Sequence, residues 1–352
     1  MDTNNHNTHV YVGLAGEGKN IGTGGLLRRV STSEEWEHID GGLPDNPQVR
    51  ALLIHPENPS VIYAGTQLGV YRSDDRGTHW EALEPPTKGT DVWSLAFHPQ
   101  DPNIIYAGYE PCAIYRSETG GQHWRKMDTG KVVFPHITTY MPPVEKRVIG
   151  ITCDPCNPMD VYAAIEVGGL LGSSDGGESW ESVIDGPYLR NNTLDLHGVV
   201  VNPSVAGLVY IITQVAMFRS RDKGRHWEHV QVEEMFPGGS YCRAVLIAPD
   251  NPRTMYLAAG SGGGGAPKGT VESGALFKSA DGGEIWSRVD IGDTPTSRMF
   301  QVAIDRKAPS HIYCCASYGQ IYESNDYGLG WEKSQLPSDL SSSRHIYSMV
   351  CG

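Results

Sequence analysis

Apolar and polar positions along this chain alternate in short blocks, four blocks to a set. In the first complete set, Val49–His55 is predicted as an apolar strand, and Pro56-Glu57-Asn58-Pro59 turns the chain. Val61–Gly65 follows as a second strand and Gly69–Ser73 as a third. A polar turn then leads to a fourth at Trp80–Leu83. The blocks are rich in β-branched and aromatic residues and are bounded by Pro, Gly, Asn and Asp, the composition of strands joined by tight turns. The same order recurs from about residues 91, 147, 195, 241 and 298.

The polar turn is itself repeated. Ser73–Trp80, Ser117–Trp124, Ser173–Trp180, Ser220–Trp227, Ser279–Trp286 and Ser324–Trp331 share a core that reads Ser-x-Asp-x-Gly-x-x-Trp, with Thr119 at the Asp position of the second, and Leu27–Glu37 carries a degenerate seventh copy. Each part has a structural use. Asp and Ser side chains bond backbone groups inside a tight turn. Gly takes backbone angles that a β-carbon would strain. Trp offers a large apolar face to pack between sheets. The repeat resembles the Asp-box, or BNR, repeat of sialidase-like and sortilin-like β-propellers, and the resemblance covers essentially the whole chain. It implies that the turn joins the third and fourth strands of a blade, on the face away from the usual ligand pocket. None of these Asp or Trp residues is therefore assigned to chemistry.

The two ends complete a ring. Residues 9–39 hold a second strand (His9–Leu14), a third (Gly25–Val30) and a fourth (Trp36–Ile39) but no first, and Arg344–Val350 supplies the missing one. The expected fold is all-β: a single seven-bladed β-propeller of four-stranded blades over residues 1–352. Its seventh blade is shared between 9–39 and 344–351. About 50 residues per blade is close to the spacing of kelch-type arrays, and a shared blade leaves no open sheet edge.

In such propellers the start of each first strand lines the axial pocket. Aligning the seven blades gives an inner ring of Arg50, Trp93, Ile149, His197, Arg243, Phe300 and Tyr347. Two residues earlier, on the same side of the strands by alternation, lie Gln48, Asp91, Arg147, Asp195, Tyr241, Arg298 and His345. The loops between second and third strands add a rim near Glu17, Gln67, Glu110, Glu166, Gln214, Ser261 and Tyr318. Arg50, Arg147, Arg243 and Arg298 thus aim at one funnel, where they repel one another unless an anion or carboxylates offset them. Arg pairs bidentately with carboxylate or phosphate. These four are the candidate binding residues for a small anion, with Trp93, Asp195, Glu166 and His136 beside them. His197, His345, Tyr347 and Tyr241 are the candidate proton-transfer residues. Neighbouring charge is expected to draw their pKa values toward neutrality.

The leading expectation is an intracellular hydrolase or lyase acting on a small anionic substrate, such as a sugar acid or another carboxylate. The alternative is a non-catalytic binding or assembly scaffold, as in sortilin-like receptors and photosystem assembly factors, holding a protein partner on the pocket face. Sialidases are set aside, because they are six-bladed and their Phe-Arg-Ile-Pro segment is absent here. Xyloglucan hydrolases of this repeat type are set aside too, because their site lies between two propellers. His197 with Glu166, His136 or His345 is a candidate set for a divalent metal, with no ligand trio defined by spacing. The Gly-rich run in 260–274 lacks the Lys-Ser/Thr ending of a phosphate-binding loop.

Insertions at 128–146 and 260–274 break the repeat, and both are expected on the pocket face, where long loops carry function. His136 and Tyr140 are then candidate lid residues. Charge narrows the partners. Lys and Arg number 28 against 41 Asp and Glu, a formal net charge of −13, which argues against nucleic acid. No apolar run is long enough to span a bilayer. The first residues lack the basic and apolar regions of a secretory signal. Seven scattered cysteines fit reduced thiols better than a disulfide framework, so the expected location is the cytoplasm. Cys314 and Cys315 are expected to point to opposite faces of one strand.

Overall fold

The computed structural model describes residues 7–16, 23–84, 89–134, 145–183, 194–232, 240–261, 273–337, 340 and 345–352. These residues form seven four-stranded antiparallel sheets and no helix. The first strands are Ala51–Ile54, Asp91–Phe97, Arg147–Cys153, Leu196–Val201, Ser240–Ile247, Met299–Ile304 and His345–Cys351. They neighbour one another in a closed circuit, so they surround the axis. We number the blades one to seven in that order. Blade seven runs His345–Cys351, His9–Ala15, Gly25–Val30, Glu37–His38, the shared blade predicted from the ends. Its closing strand lies one residue later than the expected Arg344–Val350, so that Tyr347 falls at the position of Trp93.

The second strands explain why their sequences are apolar at consecutive positions. Ile62–Thr66, Val209–Thr213 and Ile312–Ala316 are buried along their whole length, because a neighbouring blade covers each face. The core is accordingly divided into sectors between blades. Cys314 and Cys315 enter two different sectors, as alternation requires. All seven cysteines are unpaired.

A tyrosine on each of several second strands ties its blade to the next. Tyr63 donates its hydroxyl to the Gly120 carbonyl at 3.1 Å, Tyr106 to Gly176 at 2.8 Å, and Tyr210 to Gly282 at 2.6 Å. Each acceptor is the same position of the repeated turn, four residues from its close. The turn itself is built as its sequence implies. In blade three the Ser173 hydroxyl donates to Asp175 at 2.7 Å and accepts from the Gly177 amide at 2.8 Å. Asp175 also accepts from the Ser179 amide at 2.9 Å. Two successive left-handed residues close it, Gly176 at φ 71° and Gly177 at φ 94°. The first of this pair is Arg76, Lys223 or Tyr327 in other blades, whereas the second is always Gly. Blade two carries Thr119 in place of the Asp. Its hydroxyl takes over the bond to the His123 amide, at 2.9 Å. Trp80 donates its ring N–H to the Ile39 carbonyl of the preceding blade at 2.7 Å. These residues are structural, as expected.

Candidate active site

Six of the seven inner-ring residues occupy the same irregularity. In each first strand the pairing with the second strand skips one residue, and the skipped residues are Trp93, Ile149, His197, Arg243, Phe300 and Tyr347. A β-bulge of this kind leaves one residue outside the ladder and re-aims its side chain. Arg50 holds the corresponding place immediately before Ala51–Ile54, its amide bonded to the Gly65 carbonyl at 3.0 Å. Nothing in the alternation of residue types marks these bulges.

The bulged residues form a floor across the channel. Trp93, Phe300 and Tyr347 are buried together with Ala15. The Tyr347 ring lies edge-on to Trp93 at 5.7 Å and to Phe300 at 5.6 Å. Two guanidiniums are stacked into this layer, Arg50 at 4.6 Å from the Trp93 ring and Arg243 at 4.3 Å from Phe300. Stacked, desolvated pairs of this kind contribute about 2 kcal/mol. Below the floor the channel opens at the opposite face into an apolar cavity of about 190 Å³, lined by Leu53, Leu246, Val302 and Met349 among others. The charged residues lie on the other side of the floor, at the upper mouth.

The second ring forms a charged layer above the floor, and it is tied by ion pairs to the rim. Arg147 faces Glu166 directly across its strand pair. Its Nε contacts Glu166 Oε2, and its Nη1 lies 3.7 Å from Glu110 Oε2. Arg147 also stacks on Trp93 at 4.2 Å. Asp91 faces Glu110 across its own strand pair and reaches Arg50 Nη1 at 3.1 Å. Arg298 covers the Tyr241 ring at 4.4 Å and donates its Nε–H to the Ser261 carbonyl at 3.1 Å. Tyr241 lies against His197, ring centres 4.5 Å apart. On the open side of the mouth, half-exposed Tyr318 leans on His345 at 4.9 Å.

The structure thus brings Arg50, Arg147, Arg243, Arg298, Trp93, Asp195, His197, Tyr241, His345, Tyr347 and Glu166 to one end of the channel. It divides them between two layers. The offsetting carboxylates are in place: Arg147 faces Glu166 in register and lies near Glu110, and Arg50 is met by Asp91 of the next blade. Tyr347 is buried in the floor. His136, Tyr140 and Glu17 lie outside the described residues, as does most of each insertion.

The expected pull of pKa values toward neutrality is not what the structure shows at His197 or Tyr241. Burial, with Arg243 nearby, pushes the His197 imidazole down to about 3, away from neutrality rather than toward it. Burial pushes the Tyr241 hydroxyl up to about 12. The group held near neutrality is Glu166, first assigned to binding. Burial raises its carboxyl to about 7, with Arg147 pulling it down and Asp195 pushing it up. Glu110 is also raised, by burial against the pull of Arg147. Sequence reasoning placed Glu166 on the rim but had no means of weighing its burial.

Residues 157–352 match the family model described as the DUF6242 beta propeller domain. The chain belongs to this family. Among curated proteins, this DUF6242 propeller is similar to a xyloglucanase of Acetivibrio thermocellus, 25% identical over 345 residues, which cover 92% of this chain and 35% of the relative. The chain spans about a third of that relative's length. Among solved structures it is similar to the GH74 xyloglucanase of Xanthomonas campestris, with a TM-score of 0.66 and 19% identity, covering 88% of this chain and 51% of that one. It is also similar to YCF48 of Cyanidioschyzon merolae, with a TM-score of 0.57 and 13% identity, covering 88% and 96%. At these identities the solved structures bear on the fold.

Proposed function

We propose that this chain is a hydrolase of carbohydrate substrates that carry an acidic group, acting at the upper mouth of the channel. One observation carries the reading. Glu166, Asp195 and His197 stand together at that mouth, flanked by Arg147 and Arg298, and the same mouth carries the exposed ring of Tyr318 against His345. Carboxyl and imidazole groups set side by side are the means by which enzymes activate water and protonate a leaving oxygen. An exposed aromatic ring offers a flat surface to a sugar, and a guanidinium favours a carboxylate over a neutral group. The curated relatives named as xyloglucanases support hydrolysis of a sugar polymer as the reaction class. In that reaction one glycosidic C–O bond is exchanged for a bond to the oxygen of water, and the leaving oxygen takes a proton.

The test is release of reducing ends from two substrate sets: neutral xyloglucan oligosaccharides and uronate-bearing oligosaccharides. Turnover of an acidic class, lost in Asp195→Asn, is expected. Turnover of neutral oligosaccharides alone would overturn the acidic preference. No turnover of any set, or turnover unchanged in Asp195→Asn, would overturn the hydrolase reading.

A further inference from the structure

Three electron-pair donors meet between blades three and four. One ligand atom from each of Glu166, Asp195 and His197 lies within 4.8 Å of the other two. Glu166 ends the second strand of blade three, Asp195 immediately precedes the first strand of blade four, and His197 is the bulged residue of that strand. The bulge turns an imidazole toward two carboxylates that the regular ladder would have left apart.

His197 decides what this arrangement calls for. Its side chain is wholly buried. Nδ1 lies 2.6 Å from the Cys242 carbonyl, an acceptor, so the ring proton sits on Nδ1. Nε2 then carries a lone pair and has no hydrogen-bond partner among the described residues. It faces Asp195 Oδ2 at 3.8 Å. A buried polar atom without a partner costs about 1–3 kcal/mol, and a lone pair set toward a carboxylate is worse than merely unpaired. A histidine that ligates a metal hands its other N–H to a backbone carbonyl or carboxylate in this same way.

We propose that Glu166, Asp195 and His197 bind one divalent transition-metal ion, through two carboxylates and the His197 Nε2. One nitrogen with two oxygens suits zinc, manganese or cobalt better than calcium or magnesium, which take oxygen alone. The two carboxylates offset the charge of the ion. Arg147, Arg243 and Arg298, whose fields reach His197, then leave a net positive mouth suited to an acidic substrate. The inference deepens the proposed function, since such an ion would polarise a water where the sugar enters, but metal binding stands apart from turnover.

The experiment uses the full chain, stripped with chelator and dialysed, in a Cys156→Ser background that removes the exposed thiol. Cobalt(II) and manganese(II) are titrated by calorimetry, and the cobalt complex is followed by its visible absorption. One ion per chain is expected, with affinity lowered at least about tenfold in Asp195→Asn and again in Glu166→Gln. Both variants keep the parent's far-UV circular dichroism in chelator. No saturable binding, or binding that both substitutions leave unchanged, would overturn the site. Metal bound here without turnover of any substrate set removes the hydrolase reading and keeps the site. Undiminished turnover in chelator, with no metal bound, does the reverse.

Discussion

Arg50 and Asp91 meet across two blades, Nη1 to Oδ2 at 3.1 Å, with the guanidinium buried and the carboxylate 29% exposed. The same guanidinium lies over Trp93, two residues beyond Asp91. Burial lowers the Arg50 pKa, and Asp91 opposes that fall. Removing the acid therefore strands a charge in the channel floor. Breaking a fully buried pair costs about 3–5 kcal/mol; screening at the open carboxylate brings the expectation for Asp91→Asn down to about 1–3 kcal/mol. The double variant Arg50→Met with Asp91→Asn is expected to recover part of the loss. Urea denaturation of the parent and the two variants measures this, and a double variant less stable than Asp91→Asn alone would contradict it.

The tyrosine ties between blades make a second expectation. Tyr106→Phe removes only the hydroxyl that reaches Gly176 and leaves the ring in place. A loss of about 0.5–1.5 kcal/mol is expected. Tyr63→Phe and Tyr210→Phe lie at other blade boundaries, so their losses should add to it within a few tenths of a kcal/mol. Urea midpoints of the single and triple variants test both points.

The repeated turn sets part of the response to acid. Hydrogen bonds from the Ser179 hydroxyl and amide hold the Asp175 carboxyl at about 2, below its ordinary value of 3.8. A group whose pKa falls on folding binds fewer protons in the folded state. It stabilises fully above the ordinary value and loses that contribution as pH drops through about 2. Asp175→Asn is therefore expected to be less stable than the parent at pH 7, with the difference shrinking between pH 4 and pH 2. Chemical denaturation across that range reads the trend, and a constant difference would count against the bonds.

Tyr318 tests the mouth as a sugar site. Its ring is 38% exposed and touches the charged layer through His345. In Tyr318→Ala, KM for the accepted oligosaccharide is expected to rise a few-fold to about tenfold, the worth of about 0.5–1.5 kcal/mol of ring contact, with kcat nearly unchanged. A fall in kcat at constant KM would place Tyr318 in the reaction rather than in binding.

The sequence by itself determined the number of blades, the shared seventh blade and the two rings at the head of the first strands. These follow from local patterns: repeated turns, strand composition and a spacing copied along the chain. Even the structural role of the Ser-x-Asp-x-Gly-x-x-Trp turn was legible, because its bonds close within five residues. What only the tertiary structure decided was how the rings sit in depth. A bulge at six of the seven inner-ring residues sends Trp93, Phe300 and Tyr347 into a buried floor and leaves Asp91, Arg147 and His345 above it, and a bulge is a property of pairing between strands. Strand pairing set Glu166 opposite Arg147, and the packing of one blade on the next set Asp91 against Arg50. Burial lowered the His197 pKa and raised that of Glu166, since the loss of water drives an imidazole and a carboxyl in opposite directions on the pH scale. Water is excluded by neighbours from other blades, distant in the chain, and no local pattern carries that information.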